Sequence, residues 1–244
     1  MDKFSTEKSW IKKVVKVIVS QIEQDLDRYK MKDWDREKVS VIFLAWAPWC
    51  WKTEFILSIL KKSKHFFLDI DSYRNYFTWY KGNNSEDFQK AISGVVDGVT
   101  KYCFNNDIRF ILDGTFKSLV HAKRNIDKCK VKKRVVDIYF IFQNPYVSYY
   151  FTFLRKIKDE RNIPVDGFIE CFYESIRNIF TMKGRNNSIN LYVCEKMNFT
   201  ERVILKADYK LRNDFKDINS FCKFYNITYN YKDRYFIIIK PSSP

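Results

Sequence analysis

Glycine is missing from the stretch of this sequence that most needs it, and other scarcities bound the rest of the reading. No apolar run approaches the roughly 18 residues that a membrane-spanning helix demands. The start, MDKFSTEKSWIKK, carries acids among its bases and has no apolar h-region, so the expectation is a cytoplasmic chain with no membrane association. The only histidines, His65 and His121, lie far apart, and neither sits near a cysteine at zinc-ligand spacing. The six cysteines (Cys50, Cys103, Cys129, Cys171, Cys194 and Cys222) include no Cys-x-x-Cys pair. A structural metal site is therefore not supported, and reduced, mostly buried thiols are expected. There is no internal repeat and no low-complexity tract. Hydrophobic residues make up 46% of the chain and aromatics 18%, enough for a sizeable core and too much for a disordered chain.

The formal net charge of +15 favours phosphate-rich partners: nucleic acid, nucleotides or anionic lipid. The lysines, however, are scattered rather than massed, apart from short runs such as KCKVKKR. Dominance of Lys, Asn, Ile, Phe and Tyr is also what an AT-rich genome imposes on any protein. Charge alone thus names no ligand, and a nucleic-acid partner is not expected.

Apolar periodicity gives the architecture. Residues 5–30 read as an amphipathic helix with Ile11, Val14, Val15, Ile18, Ile22, Leu26 and Tyr29 on one stripe. VSVIFLA (39–45), HFFLDID (65–71), IRFILDG (108–114), RVVDIYFIF (134–142) and INLYVCE (189–195) have the length and composition of buried strands. Helices are expected over 52–62, from 85 to about 104, after the third strand to about 130, from Asn144-Pro145 to 155, and over 164–182. A helix near 208–224 and a last strand, YFIIIK, complete the chain. Strands alternating with helices predict an α/β fold, a parallel sheet with flanking helices. Ligands in such sheets sit at the carboxyl ends of the strands, so the loops after residues 45, 71 and 114 are predicted to lie side by side.

Each of those loops carries useful chemistry. AWAPWCWKTE (45–54) follows a strand, precedes a helix and ends in Lys52-Thr53, as a phosphate-binding loop does. Such a loop turns consecutive backbone N–H groups toward phosphate, which requires glycine for φ > 0 and close approach. Here the two glycine positions of the pattern hold Trp46 and Trp51. A plain aromatic strand-to-helix turn is the competing reading. In DIDSYRNYF, Asp71 stands just past a strand end, placed to take a proton from an acceptor hydroxyl, with Asp69 in support. A D-x-D pair serves as often in capping and turns. In LDGTFKS, Asp113 and Thr115 offer contacts to a polar substrate or simply end a strand. Arg155 and Arg161 could spread charge over a transferring phosphate, or decorate a solvated helix face.

Taken together, these segments resemble the zeta toxin family of P-loop kinases over about residues 39–196. The loop, FLDIDSYRNYF, FILDGTF, VDIYFIFQNPYVSYYFTFLR and ERNIPVDGFIECFYESIRNI arrive in family order. The resemblance implies an ATP-dependent kinase that phosphorylates the 3′-hydroxyl of UDP-N-acetylglucosamine. By position, residues 46–53 (Trp46, Ala47, Pro48, Trp49, Cys50, Trp51, Lys52 and Thr53) would bind ATP, with Lys52 on the phosphates and Thr53 on Mg²⁺. Asp71 would be the base, and Arg155 and Arg161 the arginines around the moving phosphate. Asp97, Asp113 and Thr115 would contact the sugar nucleotide. Aspartate stands at both acidic contacts where the compared relative has glutamate, which bears on sugar specificity. An antitoxin protein is the implied partner.

The resemblance also implies glycine at 46, 49, 51 and again at 79. Four of the six tryptophans thus occupy glycine positions, and random mutation would not choose one replacement four times. A hypothesis accounts for this: the gene comes from a lineage that decodes UGA as glycine, and the written sequence reads UGA as tryptophan. Restoring glycine gives GAPGCGKTE. UGG codons at those positions would sink the idea, and indoles there would fill the phosphate cavity. Residues 1–38 are then an N-terminal helix and connection, 39–197 the kinase domain, and 198–244 an extension packed on it. Two alternatives stand: a catalytically dead P-loop-like protein that binds a protein or nucleic-acid partner, and a related P-loop kinase with another small-molecule substrate.

Overall fold

A computed structural model describes residues 3–32, 39–46, 55–56, 63–81, 84–143, 145–159, 164–184, 189–196, 209–212, 220, 223, 227–230 and 235–238. Its centre is a six-stranded sheet of β1 (Val39–Trp46), β2 (Phe66–Leu68), β3 (Phe110–Asp113), β4 (Val135–Phe142), β5 (Ile189–Lys196) and β6 (Tyr209–Arg212), in the order β2-β3-β1-β4-β5-β6. The first five are mutually parallel and β6 is antiparallel to β5. A separate hairpin joins β7 (Ile227–Asn230) to β8 (Tyr235–Ile238). Helices α1 (Lys3–Glu23), α2 (Leu26–Tyr29), α3 (Gln89–Asn105), α4 (Leu119–Val131), α5 (Pro145–Asp159) and α6 (Val165–Gly184) flank the sheet.

The central strands are continuous apolar runs because both faces are covered. Every residue from Val41 to Trp46 is buried, as is all of β3. Along β4 the alternation separates two packings. Phe142 meets Phe172 of α6 with ring centroids 6.2 Å apart, while Tyr139, of the other parity, meets Phe55 at 5.7 Å. Phe55 belongs to the helical turn just after the tryptophan-rich segment, so that turn lies over the Tyr139 face.

The amino-terminal stripe forms α1 but stops at Gln24-Asp25, short of the expected 30. The chain must redirect there so that Met31 can donate to the Asp107 carbonyl at 2.7 Å and Lys30 can bridge Ile108. Buried Arg109 fastens this join, donating from Nη2 to the carbonyls of Arg28 and Lys30. α1 packs on α3, where Ile11 and Val15 lie against Gly94 and Gly98. A one-turn 3-10 segment, Ser85–Phe88, precedes α3. The second strand is three residues long rather than seven, because Asp69 already begins a turn.

The expected helix near 208–224 is corrected at its start. Tyr209–Arg212 is an edge strand, with Leu211 opposite Cys194 and Lys210 opposite Glu195. Its short alternation of large and basic residues suits a sheet edge, and pairing with β5 overrides the local helical pattern. Of the remainder only Ser220 and Lys223 are described, both helical. Cys103, Cys129, Cys171 and Cys194 are buried free thiols; Cys50 and Cys222 fall outside the described residues.

Candidate active site

Register assembles the site. Leu44 pairs with Asp113 and Leu68 with Leu112, so β1, β2 and β3 end together. The Gly114 N–H donates to the Leu44 carbonyl at 3.2 Å. The loops after these strands leave one edge side by side.

Asp69 and Asp71 do different things there. Asp69 Oδ1 accepts the Ser72 N–H at 3.3 Å and its carbonyl accepts the Ser72 hydroxyl at 2.9 Å. It is the residue that starts the 3-10 turn Ser72–Tyr76. Asp71 is open to solvent, its side chain 65% exposed, and accepts an N–H from Arg74 Nη1 at 2.6 Å. Arg74 is 12% exposed and donates from Nη2 to Gln89 Oε1 at 3.4 Å. A largely buried guanidinium thus fixes the direction of an exposed carboxylate, a charge-assisted bond of the strong kind. Tyr73 lies buried in the same turn, and burial pushes its hydroxyl well above the usual tyrosine range. It stays protonated and is no candidate base. Sequence reasoning did not single out Arg74; its signal is the i, i+3 spacing from Asp71 within DSYR.

Asp113 is 1% exposed and ends β3. In the loop that follows, Thr115 Oγ1 accepts the Lys117 N–H at 3.3 Å. Phe116 adopts φ of 56°, a left-handed conformation that bulky residues avoid unless their surroundings enforce it. Two buried side chains of α6 enforce it. Asn178 Nδ2 donates to the carbonyls of Phe116 and Lys117 at 2.9 and 2.8 Å, and the Ser175 hydroxyl donates to the Thr115 carbonyl. Lys117 Nζ pairs with Glu170 Oε2 at 2.9 Å. Sequence reasoning missed Ser175 and Asn178. The available signal was two polar residues three apart on the apolar face of α6.

Asp97 belongs to α3, and α4 engages it. Arg124 Nη2 donates to its Oδ1 at 2.8 Å, and Lys128 Nζ lies 3.7 Å from the same oxygen. A sugar nucleotide would have to share that carboxylate with two cations. Trp46 is described and buried, 8% exposed, within the core cluster at the end of β1. Trp79 is 43% exposed, edge-on to Trp10 at 5.4 Å. Asn84, not the indole, braces that turn: it donates to the Trp79 carbonyl at 3.1 Å and accepts the Lys81 N–H at 2.9 Å. Ala47, Pro48, Trp49, Cys50, Trp51, Lys52, Thr53 and Arg161 lie outside the described residues. Arg155 falls within α5, its side chain outside them. Of the predicted set, the described residues at one edge are therefore Trp46, Asp71, Asp113 and Thr115.

The zeta toxin family pattern matches residues 26–202, well over half of the sequence. The chain belongs to the zeta toxin family. Solved structures agree at the level of fold. A structure from the PezAT chromosomal toxin–antitoxin system of Streptococcus pneumoniae superposes with a TM-score of 0.56 at 16% identity, covering 76% of this chain and 77% of that one. AvrRxo1-ORF1:AvrRxo1-ORF2 with sulphate ions gives 0.58 at 15% identity, covering 83% and 70%. AvrRxo1-ORF1:-ORF2 with ATP gives 0.57 at 12%, covering 84% of this chain and 64% of that one. No curated protein sequence shows significant similarity. The parallel sheet with its flanking helices is P-loop-kinase-like. No described helix is long and apolar enough to cross a membrane.

Proposed function

We propose that this zeta toxin family chain, in the form with glycine at 46, 49, 51 and 79, is an ATP-dependent kinase of the 3′-hydroxyl of UDP-N-acetylglucosamine or a close UDP-amino sugar. One observation carries the reading. In a sheet of this family, the exposed carboxylate of Asp71, aimed by Arg74, leaves the same edge as Asp113, Thr115 and the end of β1. The ATP complex of AvrRxo1-ORF1:-ORF2 and the toxin–antitoxin setting of PezAT support ATP as donor and an antitoxin protein as partner.

Phosphoryl transfer asks a protein mainly for position and charge. Asp71 accepts the acceptor's hydroxyl proton as that oxygen bonds the γ-phosphorus and the bridging bond to the β-phosphate breaks, with ADP leaving. Lys52, Arg155 and Arg161 offset the charge that spreads over the phosphate oxygens. Asp113 and Thr115 hold the sugar nucleotide on the loop that Ser175 and Asn178 shape, and Asp97 is a third contact on α3. Thr53 would offer its hydroxyl to Mg²⁺, a hard ion that takes oxygen ligands, and Mg²⁺ would neutralise triphosphate charge. The deciding assay is transfer from labelled ATP across a panel of UDP-sugars by the glycine form. Asp71→Asn should abolish transfer and keep ATP binding, whereas Lys52→Ala should lose both. Turnover retained by Asp71→Asn would show the base to be another residue.

Trp46 favours a second reading for a chain with authentic tryptophan: its indole occupies the end of β1 where a phosphate loop begins. Such a chain would ignore nucleotide and act only by binding a partner. Codons decide between the two: UGG at 46, 49, 51 and 79 rules out the recoding. A melting temperature that does not respond to Mg-ATP in the tryptophan form is expected on either reading.

A further inference from the structure

Gln143 stands directly after β4, is 1% exposed, and has no hydrogen-bond partner for either Oε1 or Nε2 among the described residues. Buried amides are almost always bonded, so one orphaned at both ends calls for an explanation. Its place in the fold supplies one. The connection leaving β1 leads to β2 on one side of β1, and the connection leaving β4 leads to β5 on the other. Between such diverging connections, at the carboxyl edge, an α/β sheet opens its ligand crevice. Trp46, the last residue of β1, is in register with Ile141, so Gln143 lies two residues beyond the end of that pairing. In the alternation of β4 it follows Tyr139 and Ile141, and Tyr139, of that parity, meets Phe55.

We propose that Gln143 is a nucleotide-contacting residue: its amide N–H groups bind phosphate oxygens of the donor nucleotide. A neutral amide suits this position because it meets growing negative charge with a fixed dipole and adds no charge of its own. The proposal rests on the kinase reading above and adds to it a residue on β4 that no motif marks.

The test uses the full chain in its glycine form, with Mg-ATP affinity measured by calorimetry and the ligand-free melting temperature measured alongside. Gln143→Leu removes the orphaned amide at nearly constant volume. It should hold or raise the ligand-free melting temperature and weaken Mg-ATP by tenfold or more. Gln143→Glu, which sets a carboxylate against phosphate, should weaken it further. If Gln143→Leu does not fold, Gln143→Met decides in the same way. Mg-ATP affinity within twofold of the parent in these variants overturns the proposal and leaves the kinase reading standing. A glycine-form parent that binds no Mg-ATP overturns the kinase reading, and this proposal falls with it.

Discussion

The contact between α1 and α3 makes opposite forecasts for two glycines one helical turn apart. A Cβ added at Gly98 would lie 2.7 Å from Val15 Cγ2 and 3.2 Å from Cγ1, whereas one at Gly94 would lie 3.1 Å from Ile11 Cδ1. Gly→Ala inside a helix gains roughly 1 kcal/mol from propensity alone. At Gly94 the neighbour is the end of a long side chain, which can rotate away, so Gly94→Ala should stabilise by a few tenths to about 1 kcal/mol. At Gly98 the neighbour is a β-branched residue held in one rotamer by its own helix. The helices must then part, and overpacking of this kind costs about 1–3 kcal/mol. Gly98→Ala should therefore be neutral to about 2 kcal/mol destabilising. The gap between the two variants corresponds to several degrees in melting temperature for a chain of this size. Urea denaturation with a double-mutant cycle is the assay. Val15→Ala in the Gly98→Ala background should recover stability, giving a coupling energy of about 1 kcal/mol or more. The reasoning fails if Gly98→Ala is as stable as Gly94→Ala, or if the two changes simply add.

Other consequences follow from buried polar groups. Replacing Asn178 with Leu strips the Phe116 and Lys117 carbonyls of their donor, at about 1–3 kcal/mol; under the proposed function, UDP-N-acetylglucosamine should then bind about tenfold more weakly to the glycine form, with Mg-ATP affinity unchanged, and equal losses for both ligands would refute the role given to the loop. Asp137 accepts from Asn190 Nδ2 at 2.9 Å, and burial raises its carboxyl above the ordinary value of 3.8. The folded state thus holds this proton more tightly than the unfolded one, so the group detracts from stability as pH rises from about 3.8 through the raised value. Asp137→Asn should gain on the parent over that window in urea titrations at stepped pH, and a constant difference would show that Asp137 titrates normally. Burial pushes the Cys103 and Cys129 thiols up to about 12, so iodoacetamide should leave both unlabelled in the native protein and modify them in urea. Labelling of either before unfolding, read by peptide mass spectrometry, would contradict that burial.

The sequence by itself determined the parallel sheet. VIFLA within VSVIFLA and FIL within IRFILDG are continuously apolar rather than alternating, the pattern of a strand covered on both faces. It also determined which loops meet, since a parallel sheet aligns its carboxyl ends. Motif order then identified the family, and the strand ends put Asp71, Asp113 and Thr115 in loops at one edge. Tertiary structure decided what depends on neighbours distant in the chain. Tyr209–Arg212 is a strand because β5 offers an open edge, which no local propensity records. Packing of α4 sets Arg124 and Lys128 against Asp97 from more than two dozen residues away. Ser175 and Asn178 look like polar interruptions of an apolar helix until Phe116 turns to φ of 56° and presents its carbonyl to them. Arg74 and Gln143 likewise acquire meaning only from burial, which removes water as a partner and makes every remaining hydrogen bond, or its absence, count.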